Sequence, residues 1–296
     1  MCSSDLPDLT SLPRLADTVR AAGLVPDRRL GQHFLLDPQI LAAIVRAAGD
    51  LSGRPVLEIG PGPGGLTRAL LAAGARVTAV ERDPRAIRAL EPLLHAACGR
   101  LRLVEADALA LEPDRLMEGG SYAIVANLPY NIGTELLLRW LLDARRVTAM
   151  HLMFQREVAL RLTAEAGTAA YGRLTVLART LCDVRRTLDL PPGAFSPPPR
   201  VHSSLVSLEP FAERPDDPLI EALQRVTAAA FQQRRKMLRS SLKGMGVPVE
   251  QLLGPLGIAP TARAETLDVA TFLRMAQRLI ELRAATSETI STKRAR

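Results

Sequence analysis

Short apolar runs alternate along the chain with loops and with stretches whose apolar positions recur every three or four residues. Such runs occupy residues 55–59, 76–80, 101–105, 122–126 and 149–154. The alternation predicts parallel strands joined by crossover helices. Ahead of them, Ile40, Leu41, Ile44, Val45 and Ala48 fall at helical spacing behind Asp37 and Pro38, an N-cap followed by a proline suited to a first helical turn. Residues 175–190 and the alternating 203–208 are expected as two late strands joined by a proline-rich connection, an antiparallel edge on the sheet. Beyond Pro210 strand signals stop and helical periodicity takes over, with Pro215, Pro218, Pro248, Pro255 and Pro260 as punctuation. The expected organisation is an extension (1–28), an α/β domain (29–209), a smaller all-helical domain (210–283) and a polar, aperiodic flexible tail (284–296).

Composition narrows the class. With 47% hydrophobic residues in 296, the chain has material for a core and is not of the disordered type. The net charge of +7 lies mostly in residues 211–296, which hold 14 Lys and Arg against 9 Asp and Glu. A basic C-terminal third admits a phosphate-rich partner. Three scattered cysteines, Cys2, Cys98 and Cys182, offer neither a disulfide framework nor metal-ligand spacing, so no metal is expected. Asp5 and Asp8 stand where a signal peptide would be basic and then apolar, and no apolar run approaches a membrane span. A cytoplasmic protein without a membrane partner is expected.

Candidate chemistry gathers at predicted strand ends. Val56-Leu57-Glu58-Ile59 runs into Gly60-Pro61-Gly62-Pro63-Gly64-Gly65 and then a helical stretch. Glycines let backbone approach a ligand, and a helix start offers unpaired N–H groups. Dinucleotide dehydrogenases share such a loop, and a plain tight turn also satisfies it. Glu81 ends the second strand, 21 residues after Gly60, where a carboxylate can accept both ribose hydroxyls of an adenosine. Asp107 ends the third, placed to accept from an adenine amino group or simply to cap the next helix. Ligands of open parallel sheets bind beyond the carboxyl ends of the strands, so Gly60, Glu81 and Asp107 are expected around one adenosine pocket.

The fourth strand ends in Asn127-Leu128-Pro129-Tyr130. This tetrapeptide resembles the Asn/Asp-Pro-Pro-Tyr/Phe signature of S-adenosylmethionine-dependent methyltransferases that modify exocyclic amino nitrogens. The adenine amino lone pair is delocalised into the ring, so a useful site must turn it toward the methyl donor. Two acceptors aimed at its N–H bonds would do so: the Asn127 side-chain oxygen and the Leu128 carbonyl. Tyr130 then offers a ring for the extruded base. The plainer alternative is that Asn127 organises a strand-end turn and Tyr130 packs in the core.

Read together, these segments resemble the ribosomal RNA adenine dimethyltransferases, most closely the bacterial small-subunit enzymes, over about residues 28–283. Leu30-Gly31-Gln32-His33-Phe34-Leu35, Val80-Glu81-Arg82-Asp83, Gln155-Arg156-Glu157-Val158-Ala159, Tyr171-Gly172-Arg173-Leu174-Thr175-Val176, Phe195-Ser196-Pro197-Pro198-Pro199-Arg200-Val201 and Ala230-Phe231-Gln232-Gln233-Arg234-Arg235-Lys236 carry the resemblance beside the motifs above. It implies a Rossmann-like class I methyltransferase sheet with S-adenosyl-L-methionine as cofactor. The implied cofactor-binding set is His33, Leu35, Gly60, Glu81, Asp107 and Asn127, with His33 standing where the family usually has asparagine. The implied catalytic set is Asn127, Leu128, Tyr130 and Phe195, the last an aromatic near the target adenine opposite Tyr130. For His95, His151 and His202 a structural role is expected.

Residues 219–243 show helical periodicity, and at 100° per residue Arg235, Lys236, Arg239 and Lys243 fall on one side with Gln232. A charged helix face is usually just solvated. The resemblance implies instead that these residues track RNA phosphates, with Arg234 turned to the apolar side to tie the two domains. The implied activity is dimethylation of N6 in two adjacent adenosines near the 3′ end of small-subunit ribosomal RNA by a monomer acting on a pre-30S particle, with a role in small-subunit biogenesis. Rival readings are a large-subunit RNA methyltransferase of the antibiotic-resistance type, a non-enzymatic ribosome-assembly factor, and an NAD-dependent dehydrogenase.

Overall fold

The computed structural model describes residues 9–25 and 32–294, with side chains through Ala285. The contacts divide into two units, one comprising the chain to Ala159 with Arg185–Glu209, the other Leu160–Val184 with Pro210–Arg296. Residues 160–184, expected within the α/β domain, thus belong to the second unit.

In the first unit the chain runs through helix α1 (Leu15–Ala21), strand β1 (Phe34–Leu35), α2 (Pro38–Ala47), β2 (Pro55–Ile59), α3 (Gly65–Ala72), β3 (Arg76–Glu81), α4 (Pro84–Ala96) and β4 (Leu101–Glu105). It continues through α5 (Pro113–Leu116), β5 (Tyr122–Asn127), α6 (Gly133–Asp143), β6 (Val147–Gln155) and into α7 (Arg156–Leu162). Helix starts follow the residues that cap them. The Asp37 carboxylate accepts from Gln39 N–H at 2.8 Å, and that of Asp83 from Arg85 N–H at 2.9 Å, each before a proline in the first turn. Strands β2 and β5 are buried almost throughout, as parallel strands covered on both faces must be.

Beyond α8 (Arg173–Leu181) in the second unit, strand β7 (Cys182–Leu190) leads to β8 (Phe195–Ser196) and β9 (Ser203–Pro210). The seven-stranded sheet has the order β4-β3-β2-β5-β6-β9-β7, parallel from β4 to β6, with β9 antiparallel to β6. The strand order reverses between β2 and β5, which opens a crevice beyond their carboxyl ends. A separate two-stranded ribbon pairs β1 with β8, Phe34 opposite Ser196 and Leu35 opposite Phe195.

The second unit packs α9 (Asp217–Gln232), α10 (Leu238–Ser241), α11 (Val249–Leu253) and α12 (Val269–Arg294) with α8. Its core includes Leu223, Val226, Phe272 and Met275, and the rings of Tyr171, Phe231 and Phe272 meet edge-on and tilted.

Three expectations differ from what forms. Residues 175–181 are helical, not extended. Six of the nine residues of α8 are buried, Thr175 to Ala178 in an unbroken run, and a short buried run of this kind is not told from a strand by its pattern alone. The basic helix stops at Gln232, where Gln233 leaves the helical region with φ −125° and ψ 70°; farther on, Leu238 N–H and Arg239 N–H donate to the carbonyls of Ala262 and Pro260. Finally, 284–294 continue α12; with neither Gly nor Pro there, extending a formed helix costs less than starting one. Cys182 is a buried free thiol and Cys98 is disulfide-bonded. Among the described residues no helix is long and apolar enough to cross a membrane, and no cluster of His, Cys, Asp and Glu is arranged to hold a metal.

Candidate active site

The crevice holds a cavity walled by β1, the loop after β2, the ends of β3 and β5, and the turn after β5. Two glycines are required by close approach. At Gly62, with φ +55°, a Cβ would lie 3.1 Å from the Phe34 ring, and at Gly65 it would lie 2.7 Å from the Leu35 carbonyl oxygen. The glycine loop and β1 therefore touch backbone against ring, and Gly60, Phe34 and Leu35 all line the cavity.

Glu81 is held by three backbone donors. Its Oε1 accepts from Arg82 N–H at 2.8 Å and Asp83 N–H at 2.9 Å, and its Oε2 from Gly62 N–H at 3.2 Å. A carboxylate offers about four lone-pair sites, so an oriented acceptor position remains for a ligand hydroxyl. Asp107 caps a short turn, accepting from Leu109 N–H at 2.9 Å, and its other oxygen meets Arg82 Nη1 at 3.2 Å. It is not among the residues lining the cavity.

Sequence reasoning passed over Glu58. This β2 side chain lines the cavity, is 1% exposed, and its Oε2 has no hydrogen-bond partner among the described residues. Burial pushes its carboxyl up to about 8, and the neighbouring Glu81 charge adds to the rise. An acid inside an otherwise apolar strand run was the available signal.

Asn127 and Tyr130 sit where the tetrapeptide predicts, on the cavity wall with Leu128. The Asn127 Nδ2 donates to the His33 carbonyl at 2.9 Å, which leaves Oδ1 as the amide's acceptor. The Tyr130 hydroxyl and Ser203 Oγ lie 2.6 Å apart, and the His33 ring stacks tilted on Tyr130 with centroids 5.2 Å apart. Burial holds the Tyr130 hydroxyl above its usual range. The His33 Nδ1 lies 2.8 Å from the Pro197 carbonyl oxygen, so Nδ1 carries the proton. His33 thus serves the turn through its backbone and its ring at once.

Phe195 does not join this group. It is 4% exposed, packs in the main core cluster and pairs with Leu35 across the ribbon. Phe195 is not among the residues lining this cavity. Arg235, Lys236, Arg239 and Lys243 are exposed in the second unit, but on a turn and short helical pieces after α9 rather than on one helix face. Arg234 pairs with Glu265 at 2.9 Å and donates to the Thr168 carbonyl at 3.2 Å, both within the second unit. His151 is buried beside Ser207 Oγ, and burial lowers it to about 4; His95 lies against the Glu91 carbonyl.

Residues 26–281 match the family model described as Ribosomal RNA adenine dimethylase. The chain is 53% identical over 268 residues to Ribosomal RNA small subunit methyltransferase A of Gluconobacter oxydans, covering 90% of this chain and 88% of the relative. It is 51% identical to the protein of that name from Afipia carboxidovorans, covering 93% and 99%. Among solved structures, a dimethyladenosine transferase from Plasmodium falciparum aligns with a TM-score of 0.70 at 26% identity, over 82% of this chain and 96% of that one. The 23S rRNA methyltransferase ErmE aligns at 0.65 with 30% identity, over 83% and 99%. With its α/β sheet, its strand-end motifs and a family match across most of its length, the chain belongs to the ribosomal RNA adenine dimethylase family.

Proposed function

We propose that this protein uses S-adenosylmethionine to dimethylate N6 of two adjacent adenosines near the 3′ end of small-subunit ribosomal RNA. The observation that carries the reading is the Asn127 amide on the cavity wall, fixed through Nδ2 with Oδ1 left to accept. The residues fit an adenosine cofactor: the glycine loop brings backbone to the cavity, and Glu81, oriented by three backbone N–H donors, keeps an acceptor position for a ribose hydroxyl. What counts against the dehydrogenase reading is the Asn127 amide on the cavity wall. When bound, the cofactor would supply an electrophilic methyl on a sulfonium.

The chain's own contribution is positioning. Glu81 would hold the ribose through its remaining acceptor site, and Asp107 would reach the adenine amino group once released from Arg82. Asn127 Oδ1 and the Leu128 carbonyl would each accept one N–H of the target amine and so turn its lone pair toward the methyl. Tyr130, braced by Ser203 and His33, would carry the flipped base on its ring. The amine becomes acidic as it is alkylated, so its proton can leave to solvent and a strong general base is not needed. Phe195 has no part in this account as the core holds it.

Arg235, Lys236, Arg239 and Lys243 would contact RNA phosphates in the second unit. We take the working form to be a cytoplasmic monomer acting on a pre-30S particle. A second reading, methylation of large-subunit RNA, is favoured by the likeness to ErmE. Incubating the protein and labelled cofactor with unmethylated small subunits, and in parallel with large-subunit RNA, separates the two. Label at adjacent small-subunit adenosines is expected. Label in large-subunit RNA alone would establish the second reading, and binding without label would leave an assembly factor.

A further inference from the structure

Residues 9–25 precede the family match, which begins at residue 26, yet their side chains pack behind the wall of the cavity. Leu15 and Val19 of α1 and Ala22 at its C-cap are half-buried, at spacings of four and three residues that place them on one side. A Cβ on Gly65 would lie 3.2 Å from Leu15 Cδ1 and 2.7 Å from the Leu35 carbonyl oxygen, so Leu15 meets the glycine loop where β1 does. Leu24, 4% exposed, forms a buried cluster with Phe34, Ala86 and Ala89, against which Val19 and Ala22 also pack. Phe34 in turn touches Gly62. From α3, Arg68 fastens the segment by donating to the Pro13 carbonyl at 2.6 Å and to Thr18 Oγ1 at 3.3 Å.

We infer that Leu15 and Leu24 are positioning residues for cofactor binding: they press β1 onto the glycine loop from behind, so that Phe34 and Leu35 stand in their ligand-binding arrangement before the ligand arrives. The inference rests on the reading of the cavity as the cofactor site. Its physical basis is preorganisation. A two-residue strand paired only with another two-residue strand has little hold of its own, and any freedom it keeps must be lost on binding. Leu24 fills the space behind the Phe34 ring and removes that freedom in advance.

The test uses full-length protein and calorimetric titration with S-adenosylmethionine, with hydrogen exchange of the cofactor-free protein as a second readout. Leu24→Ala is expected to weaken cofactor affinity about tenfold, the equivalent of roughly one ordered side chain, and to speed exchange at Phe34, Leu35 and Gly62 over the rest of the sheet. Leu24→Met, which keeps the volume, should restore both. Val25→Ala, at a side chain that is 71% exposed, should match wild type. Unchanged affinity and exchange in Leu24→Ala would overturn the inference. So would a loss that tracks uniformly faster exchange across the whole unit, which would mark general destabilisation. Failure of the wild type itself to bind the cofactor would instead overturn the reading of the cavity.

Discussion

Glu58 gives the sharpest physical test of the site, because its cost can be worked out before any substrate is added. The side chain is 1% exposed, with one oxygen unpaired among the described residues. Burial, with the Glu81 charge behind it, raises its pKa from 4.5 to about 8. A carboxyl raised on folding binds its proton more tightly in the native state. Its contribution to stability is complete below the unfolded value of 4.5 and is lost as pH rises, until the folded group also ionises near 8. Between about pH 5 and about pH 9 the loss is about 4 kcal/mol, at about 1.4 kcal/mol per pH unit. Glu58→Gln keeps the shape and cannot ionise, so that dependence should vanish. Denaturant unfolding of the cofactor-free protein can be followed through Trp140, the chain's single tryptophan, which is buried in the first unit. The variant should gain about 4 kcal/mol on the wild type as pH moves from about 5 to about 9. Parallel stability curves for the two proteins would show that Glu58 is not held neutral, and the electrostatic account of the cavity would fail with it.

The other predictions concern binding and turnover. Asn127→Ala should lower kcat by about 100-fold or more; single-turnover transfer of labelled methyl at the wild-type rate would remove Asn127 from the chemistry. Glu81→Ala should weaken cofactor binding by about tenfold to a hundredfold, the worth of a hydrogen bond to a charged group, and calorimetry showing equal affinity would exclude the ribose contact. Tyr130→Phe should retain RNA affinity, whereas Tyr130→Ala should lose roughly 1–3 kcal/mol of base stacking; equal losses in both would mean that the hydroxyl, not the ring, matters. Lys236→Ala should reduce the slope of log affinity against log salt for an RNA fragment by about one, and an unchanged slope would take Lys236 off the RNA path.

What the sequence disclosed follows from where each residue spends its interactions. Strands β2 to β6 were readable because short, mostly apolar runs alternate with loops and helical stretches, most clearly in β2 and β5, which are buried almost throughout, and Gly60, Glu81 and Asn127 drew the eye because they stand where such runs end. The misreadings share one cause. α8 is short and buries six of its nine residues, Thr175 to Ala178 in an unbroken run, so it reads like a buried strand. Beyond α9, the backbone donors of Leu238 and Arg239 find the carbonyls of Ala262 and Pro260, partners that sequence order cannot reveal. Phe195 follows the same logic: its proline-rich surroundings suggested a loop offering a ring to the substrate, but the pairing of Leu35 with Phe195 makes that ring part of the core. The same pairing sets the height of β1 over the glycine loop. Through that pairing Phe195 still bears on the cavity, because Leu35 lines its wall and the Leu35 carbonyl meets Gly65.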